Sequence, residues 1–388
     1  MLLQFSVSNH RSIKEPVTIS MKASSDKVMQ ECLFDAGRQK KIIPVAAIYG
    51  ANSAGKSNIL HAMMLMRDMV CGKWAQPLKG DPLPQEAFSF QEEKDSTPTS
   101  FDIIYYYNGI RYAYGFSFSK SQILNEYLYH WPKGREALIF SREGEHYIFR
   151  ENIQEQTTLA NRTADNKLYL TSSNEWNCPQ TEKAYRWFQL ALCDLVTDDN
   201  PAEMILHFVQ QAPAAKEKLL EQIRVADLGI YDILISGTQK QPIISTVHQI
   251  KRKNGQVDQF ALRLEQESTG TQRFISHIGK YLTALHNGSV LLVDNIENNL
   301  HPLLTKYLVE LFQDPVLNQN HAQLIFTTHS PNLLDLSFVR RDQVWFIEKD
   351  SATMQTELFS LIEFSPRKNE DIKRGYLQGR YGAIPFIQ

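Results

Sequence analysis

Gly50-Ala51-Asn52-Ser53-Ala54-Gly55-Lys56-Ser57 constrains this chain more than any other stretch. Both glycines, the lysine and the hydroxyl residue stand at the spacing of a phosphate-binding loop. Val45–Tyr49 before it reads as a buried strand, and from Ser57 the pattern turns helical to about Val70. Glycine tolerates positive φ and lets backbone N–H groups approach phosphates closely. The start of the following helix adds its positive dipole end. Lys56 is therefore expected on the β and γ phosphates and Ser57 on Mg²⁺, with Gly50, Asn52, Ser53, Gly55 and Asn58 completing the cradle. The sequence thus calls for a nucleoside triphosphate, ATP, with Mg²⁺.

The rest of the composition argues for an ordinary soluble globular chain. Of 388 residues, 43% are hydrophobic and 22% charged, and the net charge of −2 advertises neither nucleic acid nor an anionic membrane. Arg38-Gln39-Lys40-Lys41 and Lys251-Arg252-Lys253 are local basic runs. Nucleic-acid contact is one reading of them and solvated loop faces the plainer one. Cys32, Cys71, Cys178 and Cys193 are scattered without a C-x-x-C pair, which suits a reduced, cytoplasmic setting. No signal peptide is expected at residues 1–8, and no apolar run is long enough to span a bilayer.

Along the chain, Met1–Ser8 and Val17–Met21 read as a strand pair. The aromatic runs 101–107 and 111–118 flank Asn108-Gly109, a strong hairpin signal. Their tyrosines suggest ordinary strand composition before a base-stacking platform. Further strands are expected near 123–130, 137–142, 146–150, 243–250 and 258–264, with helical character over 180–225 and from Thr269 to about Leu285. Val290–Val293 and Gln323–Thr327 read as buried strands and Pro302–Phe312 as a helix.

Asp294 closes the first of those strands, where a carboxylate suits a Mg²⁺ contact, usually through water. His329 follows the second, where an imidazole can meet the γ-phosphate and the attacking water. Ser268 and Gly270 open the helix from Thr269. Taken alone, that segment is a simple N-cap; beside a phosphate loop it also forms a second anion-binding nest.

In order, loop, serine-glycine helix start, strand-Asp and strand-His resemble the head of an ABC-type ATPase, as in the chromosome-maintenance, RecF and overcoming-lysogenization-defect groups. More closely, the chain resembles the RloA-like branch of bacterial ABC-type ATPases. That likeness runs from Phe5-Ser6-Val7-Ser8-Asn9-His10-Arg11-Ser12 through Ala226-Asp227-Leu228-Gly229-Ile230 to the tail Gly375–Pro385. It implies an α/β head of mixed sheet, built from residues 1–150 and 240–388, with a mostly helical insertion at 151–239; that insertion, the segment least tied to nucleotide chemistry, is expected to bind the partner. The likeness implies a homodimer, or a higher oligomer, that sandwiches ATP so that Ser268 and Gly270 reach the partner's γ-phosphate, and it places Arg11 near the phosphates or adenine. Thr269 and Thr271 replace the usual second glycine and the glutamine of that signature. Gln91 is the candidate Q-loop glutamine.

Asn295 is the larger departure, because the family normally carries Asp-Glu after the strand, the glutamate activating water. A carboxamide can hold water but cannot take its proton, and losing a general base typically costs on the order of 10²–10⁴ in rate. Asn295 is either the natural residue of a slow, ATP-holding switch or a substitution that traps nucleotide. Glu297 offers a partial rescue, although capping the next helix or setting the connection before Pro302 is its plainer role. By resemblance, the chain is expected to act in anti-phage defence or abortive infection with a separate effector, a TOPRIM-type or other nuclease or a toxin. No D-x-D motif of such a nuclease occurs within it; Glu92-Glu93-Lys94 is only a short E-x-K match. A RecF-like DNA-repair ATPase and a non-hydrolysing ATP-dependent scaffold are the alternatives.

Overall fold

The computed structural model describes residues 1–37, 40–91, 97–195, 205–206, 209, 213–226, 229–238, 241–298, 300–367 and 370–385. Part of the first basic run (Arg38, Gln39), the E-x-K match at 92–94, and Asp227 and Leu228 lie outside the described residues.

Two sheets organise the head. In spatial order the first contains His146–Phe149, Ala137–Glu143, Ile123–Trp131, Ile110–Phe118, Thr99–Tyr107, Leu2–Ser8 and Val17–Ser20, every neighbour antiparallel. Its central hairpin turns at Asn108 (φ 48°) and Gly109 (φ 74°), with Tyr107 opposite Ile110. Two successive positive φ angles give the twist that a two-residue hairpin needs.

The second sheet runs Leu192–Asp194, Val290–Val293, Gln323–Thr328, Val45–Tyr49, Val344–Lys349 and Thr356–Ser360; the first five are parallel and the last antiparallel. Its central strands are continuous apolar runs because both faces are covered. Alternate residues serve the two faces. Ala46, Ile48, Val290, Leu292 and Ile325 join one core with the helix Lys56–Cys71 and the antiparallel sheet. Val45, Ala47, Leu291, Val293, Leu324 and Phe326 join the other, beneath the helices Thr269–Asn287 and Pro302–Gln313.

The span 151–239 divides between these layers. Helices Ile153–Ala160, Tyr169–Glu175 and Pro179–Ala191 pack into the first core. Trp187 is fully buried and stacks on Tyr105 at 4.2 Å between ring centroids. Leu192–Asp194 then pairs in parallel with Val290–Leu292. After the helix Pro213–Val225, the strand Ile230–Thr238 joins Gln241–Lys251 and Val257–Arg263 in a small antiparallel sheet. Within the second basic run, Arg252 pairs with Asp258. The hairpin tyrosines Tyr105, Tyr112 and Tyr114 are buried, in line with the plainer reading of them as sheet residues. The four cysteines are free. Among the described residues, no helix is long and apolar enough to cross a membrane.

The tail anchors behind the nucleotide loop. Tyr376 and Tyr381 stack on Phe346, at 5.6 and 5.5 Å, and Tyr376 meets Tyr49 edge-on at 5.8 Å. The strand that delivers Gly50 is thereby wedged from its covered face.

Candidate nucleotide site

Three parallel strands end on one edge of the sheet and deliver the site. Tyr49 lies opposite Thr328, and Val293 opposite Phe326, so the segments after these residues share one rim. Ligands of open α/β sheets bind at such carboxyl ends.

The loop is shaped by close approaches that exclude side chains. A Cβ on Gly50 would lie 2.5 Å from the Ile347 carbonyl oxygen. Gly55 has φ 107°, and a Cβ there would meet Thr356 Oγ1 at 2.5 Å and Ser12 Oγ at 2.8 Å. Asn52 and Ser53 form the exposed tip, with Ser53 at φ 63°.

Lys56 is 6% exposed, and its Nζ donates to the carbonyls of Gly50 (2.8 Å) and Ala51 (2.9 Å). Burial lowers its pKa to about 8, against an upward pull from Asp294 and Glu297. The ammonium is thus held by neutral oxygens facing the loop, a setting that an anionic phosphate would complete.

Ser57 Oγ donates to Asp294 Oδ2 at 2.7 Å, and Thr327 Oγ1 to Asp294 Oδ1 at 2.5 Å. One hydroxyl and one carboxylate side by side are hard oxygen donors of the kind Mg²⁺ takes when it is also bound by phosphate. These residues therefore fit the cation and would hold it, directly or through water. Thr327 Oγ1 also accepts the Asn295 N–H at 2.8 Å, fixing the residue after the aspartate, which has φ 51°.

His329 completes the rim. Its Nδ1 lies 3.4 Å from Lys56 Nζ and its backbone N–H donates to Glu297 Oε1 at 2.6 Å. Burial and then the Lys56 charge lower its pKa.

Other sequence candidates have more local partners. Asn58 Nδ2 donates to Ser12 Oγ at 2.7 Å, tying the loop helix to the N-terminal turn. Arg11 donates through Nε to Glu86 at 2.5 Å and lies with Nη2 2.9 Å from His61 Nε2, so it braces the loop helix. Gln91 Nε2 donates to Asn9 Oδ1 at 3.2 Å. Ser268 caps its helix, accepting the Thr271 N–H at 3.1 Å, and is exposed. No hydrogen bond links Ser268 or Gly270 to Lys56, Ser57, Asp294 or His329 among the described residues.

Sequence reasoning missed Thr327, His61 and Glu86. Thr327 carried a signal: a hydroxyl two residues before His329 on a strand beside Asp294. Of the two structural roles weighed for Glu297, the helix cap is taken by His301, whose side chain accepts the Leu303 N–H at 3.3 Å, while the Glu297 carbonyl does help to set the connection before Pro302 by accepting the Leu300 N–H.

Loop, strand-end carboxylate, the hydroxyl bonded to it and the rim histidine on a parallel sheet define an ABC-type P-loop ATPase head. The profile of the family described as "AAA domain, putative AbiEii toxin, Type IV TA system" matches residues 45–335, and the chain belongs to that family. Among solved structures it is similar to an Smc head bound to the C-winged helix domain of ScpA, at 12% identity and a TM-score of 0.43 over 92% of this chain and 97% of that one. It is also similar to cbiO1 from Clostridium perfringens, part of the ABC transporter complex cbiONQ, at 10% identity and a TM-score of 0.36 over 97% and 96%. No curated protein matches the chain.

Proposed function

We propose that this chain is an ATP-gated dimeric switch of an anti-phage or abortive-infection system, acting with a separate nuclease or toxin effector. The observation that carries the dimer is the separation of the two half-sites. Lys56, Ser57, Asp294 and His329 converge on one rim, while Ser268 presents an exposed helix start that, among the described residues, is not hydrogen-bonded to any of these four groups. A second head, turned to face the first, supplies each start with a γ-phosphate. Arg11, Asn52, Ser53, Gly270 and Asn295 are assigned to the same nucleotide sandwich. Mg²⁺ would neutralise phosphate charge between Ser57 and Asp294.

The defence setting follows from the RloA-like tail and agrees with a family described by a toxin and a type IV toxin–antitoxin system. Turnover is slow, because the carboxamide of Asn295 cannot act as a base. The effector contact falls within 151–239, at the strand Ile230–Thr238, where Leu234 is exposed.

Light scattering of the full chain tests the switch. Adding ATP and Mg²⁺ doubles the apparent mass, and Ser268→Arg abolishes the doubling while calorimetry still records ATP uptake. A wild-type chain that takes up no ATP overturns the reading. A pull-down from cells expressing the whole operon recovers the effector.

A further inference from the structure

Glu297 is the carboxylate on the nucleotide rim that neither phosphate nor metal binding uses. It lies in the connection from Val293 to Pro302, and only its backbone takes part in shaping that turn, the carbonyl accepting the Leu300 N–H at 2.8 Å. The side chain points to the site. Its Oε1 accepts the His329 N–H, and its Oε2 is buried without a hydrogen-bond partner among the described residues. Its charge is felt at Lys56, at His329 and at the buried Tyr49 hydroxyl.

We infer that Glu297 is the general base of the slow ATP hydrolysis of this chain, a less efficient stand-in for the glutamate usual at position 295; the inference rests on the ATPase reading above. A base must be anchored, ionised and free at one oxygen. The His329 N–H supplies the anchor. The anchoring N–H belongs to the residue whose ring meets Lys56. Oε2 retains its lone pairs for water. In the step, the water oxygen bonds to Pγ as the bond from Pγ to the β,γ-bridging oxygen breaks, and that electron pair leaves with ADP. The water proton passes to Glu297 Oε2 and is returned to phosphate or solvent before the next turnover.

A merely structural Glu297 would act by holding the His329 backbone. Glu297→Gln separates the two roles, since its amide oxygen still accepts that N–H but takes no proton. The full chain, Glu297→Gln, Asn295→Glu and the double variant are compared with ATP–Mg²⁺. Three readouts are used: single-turnover hydrolysis, calorimetric ATP affinity, and the lifetime and ATP-to-ADP content of the dimer. Glu297→Gln slows turnover by roughly 10²-fold or more, keeps ATP affinity, and yields a long-lived dimer that retains ATP. Asn295→Glu in that background restores turnover. Wild-type turnover and dimer lifetime in Glu297→Gln overturn the inference, as does loss of ATP affinity in that variant, which would mark a structural residue. A wild-type chain that binds ATP without any turnover also overturns it. Failure of the wild type to bind ATP is a different result and sinks the ATPase reading itself.

Discussion

Lys56 Nζ stands 3.4 Å from His329 Nδ1, so the loop lysine and the rim histidine meet directly. The ammonium donates to two carbonyls and an imidazole, all neutral acceptors. The cation is thus oriented but, among the described residues, not charge-paired at bonding distance.

That arrangement makes ATP binding take up a proton in mild alkali. The lysine starts at about 8 rather than its ordinary 10.5 because it is buried. Above that value Lys56 of the nucleotide-free protein should be largely neutral, while bound phosphate favours the ammonium. Affinity should hold steady toward neutral pH and weaken as pH rises, approaching a tenfold loss per pH unit above about pH 8. Calorimetry near pH 9, in buffers of different ionisation enthalpy, reads the uptake directly. Equal heats in both buffers would contradict a depressed Lys56.

The histidine pair behind Arg11 predicts an acid limb in stability. Arg11 donates to His61 Nε2, so His61 must carry its proton on Nδ1 and donate it to His10 Nε2, 3.1 Å away. His10 then carries a buried Nδ1–H with no partner among the described residues. Burial, then His61 and Arg11, lower its pKa from 6.5 to about 3, with Glu86 opposing. The unfolded chain therefore binds a proton that the fold refuses. Stability should fall as pH drops through 6.5 and keep falling toward 3. His10→Gln, whose amide oxygen can take the His61 proton, should flatten that limb in urea midpoints measured from neutral to mildly acidic pH. An unchanged slope would assign the limb to other groups.

How far the sequence revealed this architecture depended on whether the signal was local. The loop, the Asn108-Gly109 hairpin and the apolar runs Val45–Tyr49 and Val290–Val293 are written in consecutive residues. Leu192–Asp194 is not. Three residues in a helix-rich stretch become a strand only because Val290–Leu292 is free to pair beside them. Arg11 meeting His61, and Glu297 meeting His329, are likewise contacts between distant segments. Pattern alone left Glu297 between a partial catalytic rescue and a structural role at the connection or cap before Pro302; the cap itself is His301.

A buried charge in the antiparallel sheet offers a third test. Glu126 is 1% exposed and accepts Tyr114 Oη–H at 2.9 Å and the N–H groups of Tyr169 (2.6 Å) and Leu170 (2.9 Å). Arg142 stands 3.8 Å away and also donates to the carbonyls of Gly144, Lys167 and Asp165. Glu126→Ala strands the guanidinium and should cost about 3–5 kcal/mol. Glu126→Gln keeps an acceptor and should cost about 1–3 kcal/mol. Urea unfolding separates the two; equal losses would mean that the charge is immaterial.

The last prediction concerns whether 153–191 folds as part of the head or beside it. Trp187 stacks on Tyr105, Tyr105 Oη donates to the Ala184 carbonyl at 3.1 Å, and Thr171 Oγ1 donates to the Val70 carbonyl at 2.7 Å, on the loop helix itself. These contacts belong to the core that carries Ile59, Met63 and Met66 of that helix. Trp187→Ala should therefore cost about 3–5 kcal/mol from the whole head. Bound ATP stabilises whichever unit contains its site, so it marks the transition to watch. One calorimetric transition, raised by ATP and lowered by Trp187→Ala, is expected. Two transitions, with the ATP-sensitive one unmoved by the substitution, would mean that these helices form a separable insertion after all.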